Sequence, residues 1–99
     1  MRNKFDFSSE FAEWDMLQGQ LIKLFKENNN GRKDFMERGI ILIEEIVVKA
    51  NQATPINFSE RFDFIKKNKN NYVAFRQLDE LFKEIKKILA RLRVQIKDK

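Results

Sequence analysis

The chain contains no cysteine and no histidine. Without cysteine there is neither a disulfide framework nor a thiolate metal site. Without histidine the commonest general base and the commonest zinc ligand are missing. Three glycines and one proline are too few for the many turns of an all-β chain. Long apolar runs are also absent. The longest, from Ile40 to Ile43, falls far short of the roughly 20 residues that a membrane-spanning helix needs. Asp6, Glu10 and Glu13 interrupt any apolar run near the N-terminus, so no signal-peptide core is expected. The expected location is cytoplasmic, with no membrane contact.

What is present points to a helical domain. At 99 residues, a single domain over residues 1–99 is expected, with enough chain to bury one core. Charged residues make up 35% and hydrophobic residues 42%, a mixture typical of a folded helical protein. The abundance of Lys, Asn, Ile and Phe suggests an AT-rich coding sequence, as in low-GC bacteria and their phages and plasmids. The net charge of +5 is localised. Lys83 to Lys99 carries seven basic residues against two acidic ones, whereas Met1 to Phe82 balances thirteen against thirteen.

The stretch Asn71 to Lys97 has the strongest pattern. Phe75, Leu78, Phe82, Ile85, Leu89, Leu92 and Ile96 alternate steps of three and four, which is a heptad seam. Ala74, Leu81 and Ile88 widen it beyond a two-stranded seam, so this helix is expected to face several neighbours at once. Upstream, the spacing predicts a first helix over Ser9 to Asn28, capped by Ser8 or Ser9, with Phe11, Trp14, Leu17, Leu21, Leu24 and Phe25 on one face. The asparagines 28–30 and Gly31 read as its stop. A second helix is expected over Arg32 to Gln52. Its β-branched run makes a strand the competing reading, but adjacent Glu44 and Glu45 break any alternation of period two. Gly39 lies within the apolar face, where it permits close approach of a neighbour. Thr54 and Pro55 read as the cap and first position ahead of a short third helix over Asn57 to Lys67. Asn71 is the expected cap of the fourth helix. The fold expected is all-α: an antiparallel four-helix bundle with a short third helix and the long C-terminal helix as its central element.

Catalysis without His or Cys would fall to carboxylates, Lys or Tyr72. Glu10 with Glu13, and Glu60 with Asp63, stand three apart. Such pairs resemble those of all-helical nucleotide pyrophosphohydrolases, which hold Mg²⁺ with them. The resemblance stops at the spacing, and these pairs read as first-turn acids placed by the helix dipole. No enzymatic activity, cofactor or metal is expected. Two binding signals remain. Lys83, Lys86, Lys87, Arg91, Arg93 and Lys97 form a basic end on the last helix, suited to nucleic acid or an acidic partner. An antiparallel first helix would set its acidic start beside them. Ile41, Val48, Phe64 and Val94 are expected to be exposed apolar residues and so candidates for docking another protein. A monomer is favoured, with Phe5 and Phe7 covering the overhanging Leu92 and Ile96; a homodimer through that overhang is the alternative.

The resulting expectation is a small non-enzymatic protein-binding module. In size and composition it resembles bacterial immunity proteins and phage or plasmid inhibitors of host defence. The alternative is a nucleic-acid-binding accessory protein that uses the basic end.

Overall fold

The computed structural model describes residues 5–97, with side chains through Val94. Four helices follow one another: α1 (Ser8–Lys26), α2 (Arg32–Lys49), α3 (Phe58–Lys67) and α4 (Tyr72–Lys97), with a 3-10 turn (Asn51–Ala53) between α2 and α3. This is the expected all-α bundle, with α3 short and α4 central. There is no strand among the described residues, and the β-branched segment of α2 is helical. Its apolar residues recur at helical spacing, so burial on one face outweighs the small propensity penalty of Ile and Val.

Local chemistry sets the boundaries, and several differ from expectation. Neither Ser8 nor Ser9 caps α1. Ser8 is already helical, and the Asp6 carboxylate accepts its backbone N–H at 3.0 Å and its hydroxyl. An acid thus serves the positive end of the helix dipole. At the other end Asn28 takes a left-handed conformation (φ 54°). Asn28 N–H donates to the Phe25 carbonyl and Asn29 N–H to that of Leu24, the paired bonds of a Schellman stop. The second helix ends at Lys49 rather than Gln52. The chain then tightens into the 3-10 turn, which buries Ala50 and Ala53. Thr54 does not cap α3: its hydroxyl donates back to the Asn51 carbonyl at 2.7 Å. Preceding Pro55, Thr54 is held extended, and α3 begins only at Phe58. Asn71 does cap α4, its side-chain oxygen accepting Val73 N–H at 2.7 Å.

The seam of α4 is the core. Phe75, Leu78, Phe82, Ile85 and Leu89 are buried, as are Ala74 and Leu81 beside them. Leu92 packs on the edge of the core, and the side chain of Ile96 lies outside the described residues. The two ends of α1 identify its direction: Phe25 meets Phe75 and Tyr72 at the start of α4, whereas Arg93 near the far end donates to the Phe5 carbonyl at 2.9 Å. The first and fourth helices are therefore antiparallel. Phe5 and Phe7 belong to the core, and their segment crosses the far end of α4. The third helix adds Phe62 and Ile65 to the core and leaves Phe64 outside. Leu42 of α2 is buried too, beside Met36, Ile40, Ile43 and Ile46.

Trp14 joins three helices. Its indole stacks on Phe82 with centroids 4.4 Å apart and planes 12° from parallel. Across from it lies Gly39, where an added Cβ would come within 2.5 Å of Trp14 Cζ3 and 3.1 Å of Leu78 Cδ2. The absent side chain thus lets α2 approach α1 and α4. Two competing effects decide the consequence of Gly39→Ala. Alanine favours helix by about 1 kcal/mol, but overpacking a rigid indole that already rests on Phe82 costs about 1–3 kcal/mol. Gly39→Ala should lower the melting temperature and alter Trp14 fluorescence. An unchanged or higher melting temperature would mean that α2 does not approach this closely. Phe82→Ala should cost about 3–5 kcal/mol, a large part of the roughly 5–15 kcal/mol that holds such a domain together, and chemical denaturation measures it.

Candidate functional site

Neighbours cover α4 on three sides. Phe75 and Phe82 meet the aromatic residues of α1, Leu78 reaches Gly39 of α2, and Glu84 is bridged by Arg61 of α3. Arg76, Glu80, Lys83, Lys87, Ala90, Arg91 and Val94 are all exposed. At 100° per residue they fall in one sector of roughly 100°. This uncovered face holds a shallow groove of about 400 Å³, lined by Glu80, Lys83, Glu84, Lys86, Lys87 and Ala90.

The six basic residues singled out in the sequence divide into groups. Lys83 is held by Asp79 at 3.2 Å and Glu80 at 3.8 Å on its own helix. Lys86 and Arg93 turn toward α1: the Lys86 ammonium lies 5.9 Å from the Phe11 ring centre, and both line a recess with Asp6 and Asp15. The acidic start of α1 thus lies beside part of the basic end. Glu13 does not join it, because two hydrogen bonds of 2.6 and 3.1 Å tie it to Arg38 of α2. Lys87 and Arg91 remain. Both are exposed, and neither closes an ion pair among the described residues. The side chain of Lys97 lies outside the described residues.

Ile41, Val48, Phe64 and Val94 are exposed, at 45%, 75%, 40% and 56%. Ile41 and Val48 stand on α2, Phe64 on α3 and Val94 on the uncovered face of α4. Exposed Met16, Ile22, Ile56, Tyr72 and Val73 were not among the docking candidates read from the sequence. The carboxylate pairs at spacing three find other uses. Glu10 is buried beside Ser9, whose hydroxyl donates to it at 2.9 Å, and Asp63 pairs with Lys67 at 3.0 Å. No group of three or more Asp or Glu that could hold a metal is present among the described residues.

Asp79 is a residue that the sequence reading passed over. It is buried, and its Oδ1 accepts the Trp14 indole N–H at 3.1 Å and the Gln18 amide at 3.0 Å. A signal existed: a core tryptophan needs an acceptor for its N–H, and Asp79 sits one step from the seam residue Leu78.

The family model described as YpoC-like protein matches residues 4–97, and the chain belongs to this family. It is 30% identical over 95 residues to the "Uncharacterized protein YpoC" of Bacillus subtilis (strain 168), a match that takes in 78% of this chain and 58% of that protein. The chain thus spans a little over half the length of that relative. No solved structure gives a significant match. Neither description names an activity or a partner.

Two ion pairs flank this region, and each leaves a signature in acid. A hydrogen bond from Arg61 holds the Glu84 carboxyl below its ordinary range, and one from Arg38 does the same for Glu13. A carboxylate whose folded pKa is depressed stabilises the protein above its unfolded value and loses that contribution as pH falls through the folded value. The Arg61–Glu84 pair is partly solvated, so it contributes at most about 1 kcal/mol. Glu84→Gln should therefore melt slightly below the parent at neutral pH, and the gap should close as pH drops below the ordinary 4.5. Thermal melts across acid pH check this; a gap that persists in strong acid would show that the carboxylate charge is not its source.

Proposed function

We propose that this member of the YpoC-like family is a non-enzymatic docking module that binds an acidic surface of another protein through the uncovered face of α4. The observation that carries this reading is the pairing of free charge with apolar surface. Lys87 and Arg91, one turn apart, are the members of the basic set without an ion-pair partner among the described residues, and exposed Ala90 and Val94 lie beside them. A basic stripe beside two apolar residues four apart, Ala90 and Val94, suits an acidic, partly apolar partner surface: charge steers the encounter and burial of the apolar side chains holds it. In this reading the module acts in the cytosol as an inhibitor or immunity-type accessory protein of a bacterium, phage or plasmid. Among the described residues no helix is long and apolar enough to cross a membrane. It acts as a monomer, with Phe5 and Phe7 in the core closing the end that a second chain would otherwise cover.

Nucleic acid is the competing ligand, and the free charge argues against it. Two unpaired cations would release few counterions and give a shallow salt dependence of about −2 in log–log slope. Aromatic side chains on which bases could stack are missing from the face. The test is affinity capture with the parent and the Lys87→Glu/Arg91→Glu and Val94→Asp variants, on nuclease-treated extract. A protein retained by the parent after nuclease and lost with both variants, each still folded by circular dichroism, supports docking. Loss of capture on nuclease treatment, or tight and steeply salt-dependent binding to random duplex, would overturn it.

A further inference from the structure

The opposite end of α4 carries a second basic feature, independent of the docking face. There the asparagine turn between α3 and α4 meets the start of α2. The two form a hollow of about 620 Å³, within the size range of small-molecule sites. Lys33, Lys67 and Lys69 line it together with the turn and Tyr72, and no carboxylate does. Acids outside the hollow brace two of the ammonium groups: Asp63 holds Lys67 at 3.0 Å and Glu37 holds Lys69 at 3.1 Å. Lys33 is exposed and makes no ion pair among the described residues.

A second observation comes from Arg32, which borders this hollow. Only 9% of it is exposed, yet no carboxylate meets it among the described residues. Its Nη1 donates to the Asn29 carbonyl at 3.0 Å and its Nε to that of Asn70 at 3.4 Å, and its guanidinium lies 5.5 Å from the Phe25 ring centre. A charge taken out of water is ordinarily paired with an opposite charge; here the partners are neutral. The guanidinium ties the asparagine turn to the turn before α2, and it leaves an uncompensated positive charge behind the hollow. Asp34 on the first turn of α2 is exposed and makes no ion pair among the described residues, so it does not neutralise this charge by contact. The Asn71 side-chain oxygen is taken up by Val73 N–H, which leaves its amide N–H₂ as a donor. The Asn68 amide N–H₂ is taken up by the Phe64 carbonyl at 2.7 Å, so the positive character of the lining comes from its three ammonium groups, over a buried cation.

We propose that this hollow is a binding site for the phosphate group of a small phosphorylated molecule. Lys33, Lys67 and Lys69 contact the phosphate oxygens, and Arg32 supplies charge from behind while holding the turn in place. Lysines bind phosphate as point charges, and the start of α4 adds its positive dipole end. Tyr72 is half-exposed at the rim, and its ring takes an aromatic organic part where the ligand has one.

Isothermal titration of the full chain at about 0.15 M salt separates the contributions, with inorganic pyrophosphate, ADP and adenosine as probes. Pyrophosphate and ADP should each bind at one molecule per chain, and adenosine should not. Lys33→Gln, at an exposed side chain, and Lys69→Gln, at a partly buried one held by Glu37, should each weaken binding by about tenfold or more, as expected for a lost charge-assisted contact. ADP should bind more tightly than pyrophosphate, and Tyr72→Ala should remove that difference; equal affinities for the two would exclude Tyr72 from the site. Lys87→Gln/Arg91→Gln alters the docking face, about 22 Å along α4 from Tyr72, and should leave the titrations unchanged. Absence of saturation by pyrophosphate and ADP at millimolar concentration would overturn the proposal. So would weakening as large in the Lys87→Gln/Arg91→Gln control as in the Lys33 and Lys69 variants, which would mean a diffuse charge effect. Neither result bears on the docking reading, which rests on residues at the other end of α4.

Discussion

The structure depends on the packing of one side chain. Trp14 lies flat on Phe82 of α4, faces the bare backbone of Gly39 on α2, and donates its indole N–H to buried Asp79. Each contact needs the others. The stack brings α1 and α4 to a separation at which Asp79 can accept the hydrogen bond, and Gly39 admits α2 against the opposite edge of the ring. An indole N–H left unpaired in a core would cost about 1–3 kcal/mol, so Asp79 does more here than carry surface charge. Its second oxygen reaches Lys83 at the surface, which gives the carboxylate a counter-ion and connects the core to the basic face.

The third helix is held differently. It is short and meets α4 through Phe62 and Ile65, with the Arg61–Glu84 pair at the margin. The short helix and its asparagine turn leave the start of α4 open, and the lysine-lined hollow occupies that opening. Arg32 clamps the same end from beneath by binding two turn carbonyls. The opposite end is closed by Phe5 and Phe7 and by the bond from Arg93 to the Phe5 carbonyl. The two ends of α4 therefore differ in kind: one is sealed by apolar side chains from the N-terminal segment, and the other is a polar opening braced by a buried cation.

This arrangement also sorts the basic residues. A helix with neighbours on three sides turns some of its cations toward those neighbours and leaves the others in water. Lys86 and Arg93 fall on the α1 side, where they meet Phe11 and the Phe5 backbone. Lys83 is held by acids of its own helix. Lys87 and Arg91 remain outward with Val94. The localised charge visible in the sequence thus becomes a much smaller free charge, and that reduction favours a protein surface over a nucleic acid in the functional reading.

The sequence by itself determined the helical class, the number and order of the helices, and the core face of α4. Periodic apolar spacing reports burial directly, because a helix repeats every 3.6 residues whatever its neighbours are. It also identified the asparagine stop of α1 and the Asn71 cap, since both are local backbone chemistry. The missing serine cap of α1 and the missing Thr54 cap of α3 were not legible. At α1 the Asp6 carboxylate accepts the Ser8 N–H and hydroxyl, and ahead of α3 Thr54 is held extended before Pro55. The tertiary structure alone decided the pairing of Asp79 with Trp14, the burial of Arg32 without a carboxylate, and which cations stay free. Those outcomes depend on the relative placement of residues far apart in the chain, such as Trp14 and Asp79, and no local pattern carries that information.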